Sequence, residues 1–100
     1  MNAKQFTTVT EILFTPKALT GERRESKVNH CNAHVVRYDN GLVFWSYNSP
    51  VYFEIDGVRY FGPDYDYSAT TRKQLTRFLG MNAAQRREAI KAGTIRVLAQ

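Results

Sequence analysis

The feature that most constrains the fold of this sequence is a block of β-rich runs between residues 33 and 61, divided by residues typical of tight turns. Asn40-Gly41 and Asp56-Gly57 each lie between two runs rich in β-branched and aromatic residues. Asn, Asp and Gly tolerate the positive φ angles of a type I′ turn, so both dipeptides indicate β-hairpins. Asn48-Ser49-Pro50 breaks the chain between the two hairpins. We therefore predict antiparallel strands over residues 34–61, arranged as a four-strand meander.

The third run has the alternation of a strand with one covered face. Val51, Phe53 and Ile55 share one face, and Tyr52 and Glu54 share the other. Successive side chains of a strand point to opposite faces of the sheet. The pattern therefore predicts that the first set is buried and that Tyr52 lies on an exposed face.

The segments before the meander carry weaker patterns. Four apolar residues between Phe6 and Leu13 have the spacing of one helical face, while the threonines among them favour a strand. We favour a helix that ends before Pro16, because the residue preceding a proline is pushed out of the α region. The polar, charge-dense run 17–29 indicates a solvated loop or a short exposed helix.

Two helices are expected after the meander, each preceded by a capping residue. Ser68 precedes a helix over 69–79, and Asn82 precedes a second helix that ends at Ala92. In the first helix an apolar stripe lies opposite three cations; the stripe is Leu75, Phe78 and Leu79, and the cations are Arg72, Lys73 and Arg77. Residues 94–98 alternate well enough to be a final strand. The predicted fold is α+β, with a small antiparallel β-meander of about four to five strands packed against C-terminal helices.

Composition limits the domain count and the compartment. One hundred residues with 43% hydrophobic content suffice for one core, so residues 1–100 are read as a single domain. No apolar run approaches the roughly 18 to 20 residues of a membrane span, and the first residues lack the apolar stretch of a signal peptide. Cys31 is the single cysteine, which excludes a disulfide within the chain. These features predict a cytoplasmic protein with no membrane association.

Residue types that could support catalysis or metal binding are few. His30, Cys31 and His34 are three possible metal ligands, but no further histidine or cysteine exists to complete a tetrahedral site. The carboxylates at 54, 56, 64 and 66 are partly explained by the turns that hold them. We therefore predict a protein that is not an enzyme and that has no metal site, no catalytic residue and no cofactor.

The charge is unevenly distributed along the chain. The formal net charge is +5, while residues 68–100 alone carry seven basic groups and one acidic group. The second helix adds three cations to the three of the first: Arg86, Arg87 and Lys91. The helix pair invites comparison with a helix-turn-helix, whose second helix would meet phosphates. Tyr65 and Tyr67 lie in a polar turn just before these helices, and tyrosine is enriched at binding hot spots.

Three segments of the chain resemble a known family. They are Tyr38-Asp39-Asn40-Gly41, Ser46-Tyr47-Asn48-Ser49-Pro50-Val51 and Tyr67-Ser68-Ala69-Thr70-Thr71-Arg72-Lys73-Gln74-Leu75. The three segments resemble small uncharacterised proteins encoded by bacteriophages and mobile elements. Ser49 stands where threonine is common in that pattern, and Gln74 where histidine is common. The resemblance implies the context of an accessory protein and no particular mechanism.

The sequence thus predicts a non-enzymatic, phage-type accessory protein that binds a host macromolecule, such as an inhibitor of a host defence system like CRISPR–Cas. The partner would be a host protein or a protein–nucleic acid complex. The alternative is a small basic module that binds nucleic acid directly. Homodimerisation through a sheet edge is a further possibility. The residues predicted to contact the partner are Arg72, Lys73, Arg77, Arg86, Arg87, Lys91, Tyr65 and Tyr67.

Overall fold

The computed structural model describes residues 6–14, 18–27 and 32–100, and these form a six-strand mixed sheet with three helices. In chain order the elements are α1 (Val9–Leu13), β1 (Arg24–Lys27), β2 (Ala33–Tyr38), β3 (Gly41–Ser46), β4 (Ser49–Ile55), β5 (Val58–Phe61), α2 (Ala69–Leu79), α3 (Ala83–Ala92) and β6 (Ile95–Val97). The α+β class is confirmed, with six strands in place of the expected four to five.

The strands lie in the sheet in the order in which they occur along the chain. The first five are antiparallel neighbours, which confirms the meander over 34–61. The last strand pairs parallel to β5, because the chain returns to the same edge through α2 and α3. These two helices pack on one face of the sheet through residues such as Leu75 and Ala89, and α1 covers the other through Ile12.

Of the two predicted hairpin turns, one is confirmed and the other is shifted by one residue. Asp56 and Gly57 both have positive φ, 52° and 81°, as a type I′ turn requires. In the first hairpin the turn residues are Asp39 and Asn40, and Gly41 already belongs to β3 without a positive φ. The glycine is needed there for another reason, since a Cβ atom would clash with the carbonyl oxygen of Glu54.

The predicted break at Asn48-Ser49-Pro50 exists but begins one residue earlier and is shorter, because Ser49 and Pro50 belong to β4. The connection is a two-residue turn at Tyr47 and Asn48, with Tyr47 at a φ of 54°. Pro50 pairs with Trp45 where the register between the strands shifts. A proline is tolerated in a strand at such an irregularity.

Tyr52 is fully buried, so its predicted exposure was wrong. Both faces of β4 are covered, and Tyr52 and Phe53 belong to the cores on opposite sides of the sheet. The Tyr52 hydroxyl donates to Glu54 and accepts from Nε of Arg59 at 2.7 Å. The alternation was therefore correct for Phe53 and Ile55 and misleading for the burial of Tyr52. It fails at Val51, which lies at the register shift and belongs to the same core as Tyr52.

Of the two segments before the meander, one has the predicted structure and the other does not. The N-terminal helix is confirmed as α1, although Pro16 lies outside the described residues. Arg24–Lys27 forms an edge strand where a loop or an exposed helix was expected. Its four residues are all exposed, so the strand is held by backbone pairing with β2. Within the described residues, no helix is long and apolar enough to cross a membrane.

Candidate anion-binding groove

The two C-terminal helices have the caps that the sequence predicts. The Ser68 side chain accepts from the backbone of Thr71 at the start of α2, and Asn82 and Gln85 form a reciprocal capping box at the start of α3. Gly80 ends α2 in the left-handed conformation, with a φ of 70°. Because such a residue turns the chain sharply, α3 begins only a few residues later and lies beside α2.

Arg86 fixes the two helices to each other. Its guanidinium Nη1 donates to Oγ1 of Thr76 at 2.7 Å and to the carbonyl oxygen of Met81 at 2.9 Å. The residue is only 3% exposed. Burial lowers the pKa of Arg86 from its ordinary value, and the nearby Asp66 carboxylate acts in the opposite direction.

A groove of about 670 Å³ lies between α2 and α3. Its lining consists of four cations and three small side chains: Arg72, Lys73, Arg77 and Arg86, with Ala69, Thr76 and Ala83. Among the described residues, no carboxylate lines this groove. Asp66 forms an exposed ion pair with Arg72, at a distance of 3.7 Å. One such pair leaves cations in excess over carboxylates at the groove.

The groove brings together half of the residues predicted to bind a partner. Arg72, Lys73 and Arg77 are exposed on α2 and line it. Arg86, which was predicted to contact the partner, reaches the groove from a buried position. Arg87 and Lys91 are exposed on α3 but are not among the groove residues.

The burial pattern of α3 bears on the helix-turn-helix comparison. The buried residues of this helix are Arg86 and Ala89. A recognition helix is normally held by large apolar side chains, and here an arginine with two hydrogen bonds occupies that place. The cationic surface of the helix pair is therefore the groove between α2 and α3, and not the outer face of α3 alone.

The two predicted tyrosines have different environments. Tyr65 is half-buried and stacks on Phe61, with ring centroids 4.8 Å apart. Tyr67 is 84% exposed and lines a smaller cavity of about 270 Å³ together with Tyr47, which is also exposed. Tyr65 thus belongs to the packing of the sheet, whereas Tyr67 is available to a partner.

A buried polar network beneath α2 was missed by the sequence analysis. The Ser46 hydroxyl donates to Oε1 of Gln74 at 2.5 Å and lies 3.1 Å from the Thr71 hydroxyl. All three residues are buried. Thr71 and Gln74 lie one helical turn apart, on the same side of α2 as Leu75, so their spacing could have indicated a polar stretch of the inward face. The network joins two of the three segments that carry the family resemblance.

Comparison with known proteins places the chain in a family. A family model matches residues 2–93, which covers the sheet up to β5 and both helices of the groove. The chain belongs to DUF8033, a family of unknown function. No curated protein and no solved structure matches the chain. Membership in this family therefore leaves the function to be argued from the groove and its surroundings.

The other candidate clusters do not assemble in the part of the chain that the structure describes. No three histidine, cysteine or acidic side chains converge there on a possible metal ion. His34 stacks on Trp45 at 5.8 Å and lies 3.3 Å from a Glu25 oxygen. His30 and Cys31 lie outside the described residues. Glu54 accepts from Tyr52 within the sheet, which gives it a structural role.

Proposed function

We propose that this chain is a non-enzymatic binding protein that docks on nucleic acid through the groove between α2 and α3. The observation that carries the proposal is the convergence of Arg72, Lys73, Arg77 and Arg86 on one groove. Clustered arginine and lysine side chains are the electrostatic footprint of phosphate-backbone binding. The alternative interpretation of the sequence thus becomes the preferred one once the cations are placed in three dimensions.

The position of Arg86 favours phosphate over a diffuse acidic surface. Both of its hydrogen bonds leave from Nη1, and in the described parts of the chain neither Nη2 nor Nε makes one. A guanidinium presents its donors in a rigid fork that matches phosphate oxygens. Since the side chain is already held in place, little rotamer entropy remains to be lost on binding.

A second candidate function rests on Tyr67. An exposed tyrosine beside a cationic groove is typical of protein interfaces, where aromatic and arginine side chains dominate the binding free energy. In this version the chain is a phage-type accessory protein in the bacterial cytoplasm that docks on a host protein or a protein–nucleic acid complex. An inhibitor of a host defence system such as CRISPR–Cas would act in this way.

The test compares two double variants of equal charge change. In Arg72→Glu/Arg77→Glu two groove cations are reversed, and in Arg87→Glu/Lys91→Glu two exposed α3 cations outside the groove are reversed. Binding to labelled single-stranded and duplex oligonucleotides is followed by fluorescence anisotropy across a salt series. We expect the groove variant to lose at least about tenfold more affinity than the other and to show a shallower salt dependence.

Equal losses in the two variants would contradict docking at the groove, because total charge would then be the only determinant. If the unaltered chain binds no oligonucleotide, nucleic acid is excluded as the direct partner. Recovery of a partner from host lysate, with and without nuclease treatment, then tests the second candidate. A Tyr67→Ala variant should lose a protein partner that survives nuclease.

A further inference from the structure

A second, smaller cavity lies on α2 beside the groove. It has a volume of about 210 Å³ and is lined by Thr70, Lys73, Gln74 and Arg77. Lys73 and Arg77 line both cavities, so they form a cationic ridge between them. The volume is below the roughly 300 Å³ at which pockets for drug-sized ligands begin, so the cavity suits a small chemical group.

Gln74 holds an amide group with an unused donor end. The residue is 7% exposed, and its Nε2 atom has no hydrogen-bond partner in the described parts of the chain. Buried donors of this kind are rare in native structures, because leaving them unpaired costs folding free energy. The Nε2 atom has almost no accessible surface, so an acceptor brought by a ligand would satisfy the group once the amide turns towards the cavity that Gln74 lines.

The hydrogen bonds around Gln74 account for the carbonyl end of the amide and leave the other end unpaired. The Ser68 hydroxyl donates to Oγ1 of Thr71, which leaves the Thr71 proton for the Ser46 hydroxyl 3.1 Å away. Ser46 in turn donates to Oε1 of Gln74. The chain of hydroxyls therefore occupies the carbonyl end of the amide and leaves its N–H groups without an acceptor.

The cavity offers donors and positive charge to a ligand. Lysine ammonium and arginine guanidinium groups are donors only, a glutamine NH₂ is a donor, and a threonine hydroxyl can also donate. The complementary group is a small anion rich in acceptor oxygens. A phosphoryl group has this chemistry, and arginine and lysine are its usual protein partners.

We propose that the cavity lined by Thr70, Lys73, Gln74 and Arg77 is a phosphoryl-binding subsite in which the Gln74 amide donates to a phosphate oxygen. The identity of the molecule that carries the phosphoryl group rests on the proposed function. If the partner is nucleic acid, one backbone phosphate occupies this cavity while others occupy the groove on the far side of Lys73 and Arg77. A small phosphorylated molecule is the other source of the same chemistry.

The experiment observes the side-chain amide of Gln74 directly. In the ¹⁵N-labelled full chain, its NH₂ resonances are assigned by their disappearance in Gln74→Met. The chain is titrated with inorganic phosphate and, separately, with an oligothymidylate that lacks terminal phosphates. We expect both probes to shift the Gln74 resonances. Gln85 on α3 is the internal control, because its amide is exposed and engaged in the capping box, and it should not move.

Affinity supplies the second measurement. Gln74→Met removes the donor without changing charge, so it should weaken oligonucleotide binding by about three- to tenfold, the loss of one charge-assisted hydrogen bond. Its stability should fall only moderately, because the substitution removes the unpaired N–H groups together with the acceptor of the Ser46 hydroxyl. A melting curve of the variant verifies that it is folded.

The outcomes separate this proposal from the preceding one. If the oligonucleotide binds and the groove variant loses it, while the Gln74 resonances stay fixed and Gln74→Met binds fully, the subsite is refuted and the groove stands. If inorganic phosphate shifts Gln74 and the oligonucleotide does not bind, the subsite stands and nucleic acid is refuted as its source. If neither probe moves Gln74, the subsite is refuted. A shift produced only by an acidic peptide also overturns it, in favour of a protein partner.

Discussion

Replacing Arg86 by methionine isolates the contribution of one buried guanidinium to the packing of α3 on α2. Methionine has similar length and packs well in irregular apolar surroundings, so the substitution removes the charge and the donors with little change in volume. It eliminates the hydrogen bonds to Thr76 at 2.7 Å and to the Met81 carbonyl at 2.9 Å.

The magnitude follows from these two bonds. Hydrogen bonds to a charged group contribute about 1.5–3 kcal/mol each, but Thr76 is exposed and can bond to water instead. The variant is also spared the cost of burying a cation, which partly offsets the loss. We therefore expect the free energy of unfolding to fall by about 1.5–3 kcal/mol in total. A domain with a stability of about 5–15 kcal/mol remains folded.

Arg87→Met is the matched control, because the neighbouring arginine lies on the same helix and is exposed. Exposed substitutions without special contacts change stability by less than about 0.5 kcal/mol. Urea unfolding followed by circular dichroism and by the fluorescence of Trp45 measures both variants. With a denaturant slope of about 1–2 kcal/mol per molar, the Arg86 variant should unfold at roughly 1–2 M less urea.

Equal midpoints for the Arg86 and Arg87 variants would refute the reasoning. The guanidinium would then be dispensable to the helix pair, and its burial would have to be explained by ligand binding alone. A larger loss in the Arg87 variant would refute the assignment of the buried face of α3.

Three further perturbations test the core and the sheet. Phe78→Ala should lower the free energy of unfolding by about 3 kcal/mol, because the Phe78 ring packs on that of Phe44 with centroids 4.5 Å apart. This value is at the low end for aromatic core sites, since Phe78 is only partly buried. A loss below about 1 kcal/mol in urea unfolding would contradict this packing. Gly41→Ala should prevent folding or lower the free energy of unfolding by more than about 3 kcal/mol, since the new Cβ meets the Glu54 backbone. In Gly57→Ala the new Cβ meets no atom, so the variant should lose only about 1 kcal/mol to the strain of a positive φ. Circular dichroism and melting curves compare the two variants. Burial raises the pKa of Tyr52 to about 12 from 10.0, so the neutral phenol stabilises the fold fully below about pH 10. The free energy of unfolding should fall by about 2–3 kcal/mol as the pH rises towards 12. Urea unfolding at each pH measures the loss, which the Tyr52→Phe variant should not show.

Local residue chemistry accounts for the parts of the fold that the sequence predicted. The caps at Ser68 and Asn82 and the turn at Asp56-Gly57 each depend on a few adjacent residues, so each could be recognised without knowing the rest of the chain. Arg24–Lys27 could not be recognised in this way, because its four polar, exposed residues have no apolar alternation. It is a strand because β2 provides a row of backbone partners.

The candidate site divides in the same manner. A helical projection separates the cations of α2 from its apolar stripe, so Arg72, Lys73 and Arg77 were predictable as an exposed set. The burial of Arg86 in α3 depends on where α2 ends and on how closely α2 and α3 approach each other. Sequence spacing alone does not give the distance between the two helices. The unpaired N–H groups of Gln74 could not be predicted from the sequence, since they follow from a hydrogen bond between Gln74 and Ser46 in another element.

The parallel pairing of β6 with β5 has a consequence for the order in which the chain can fold during synthesis. Leu98 donates to the Phe61 carbonyl at 2.8 Å, and Ala99 exchanges backbone bonds of 2.9 Å with Thr7 and Val9. The edge of β5 therefore stays open, and α2 and α3 remain without their second anchor, until residues 95–99 leave the ribosome. Contacts that join segments so distant in sequence form late. In the interval the meander exposes an unpaired edge, where pairing with another nascent chain competes with closure.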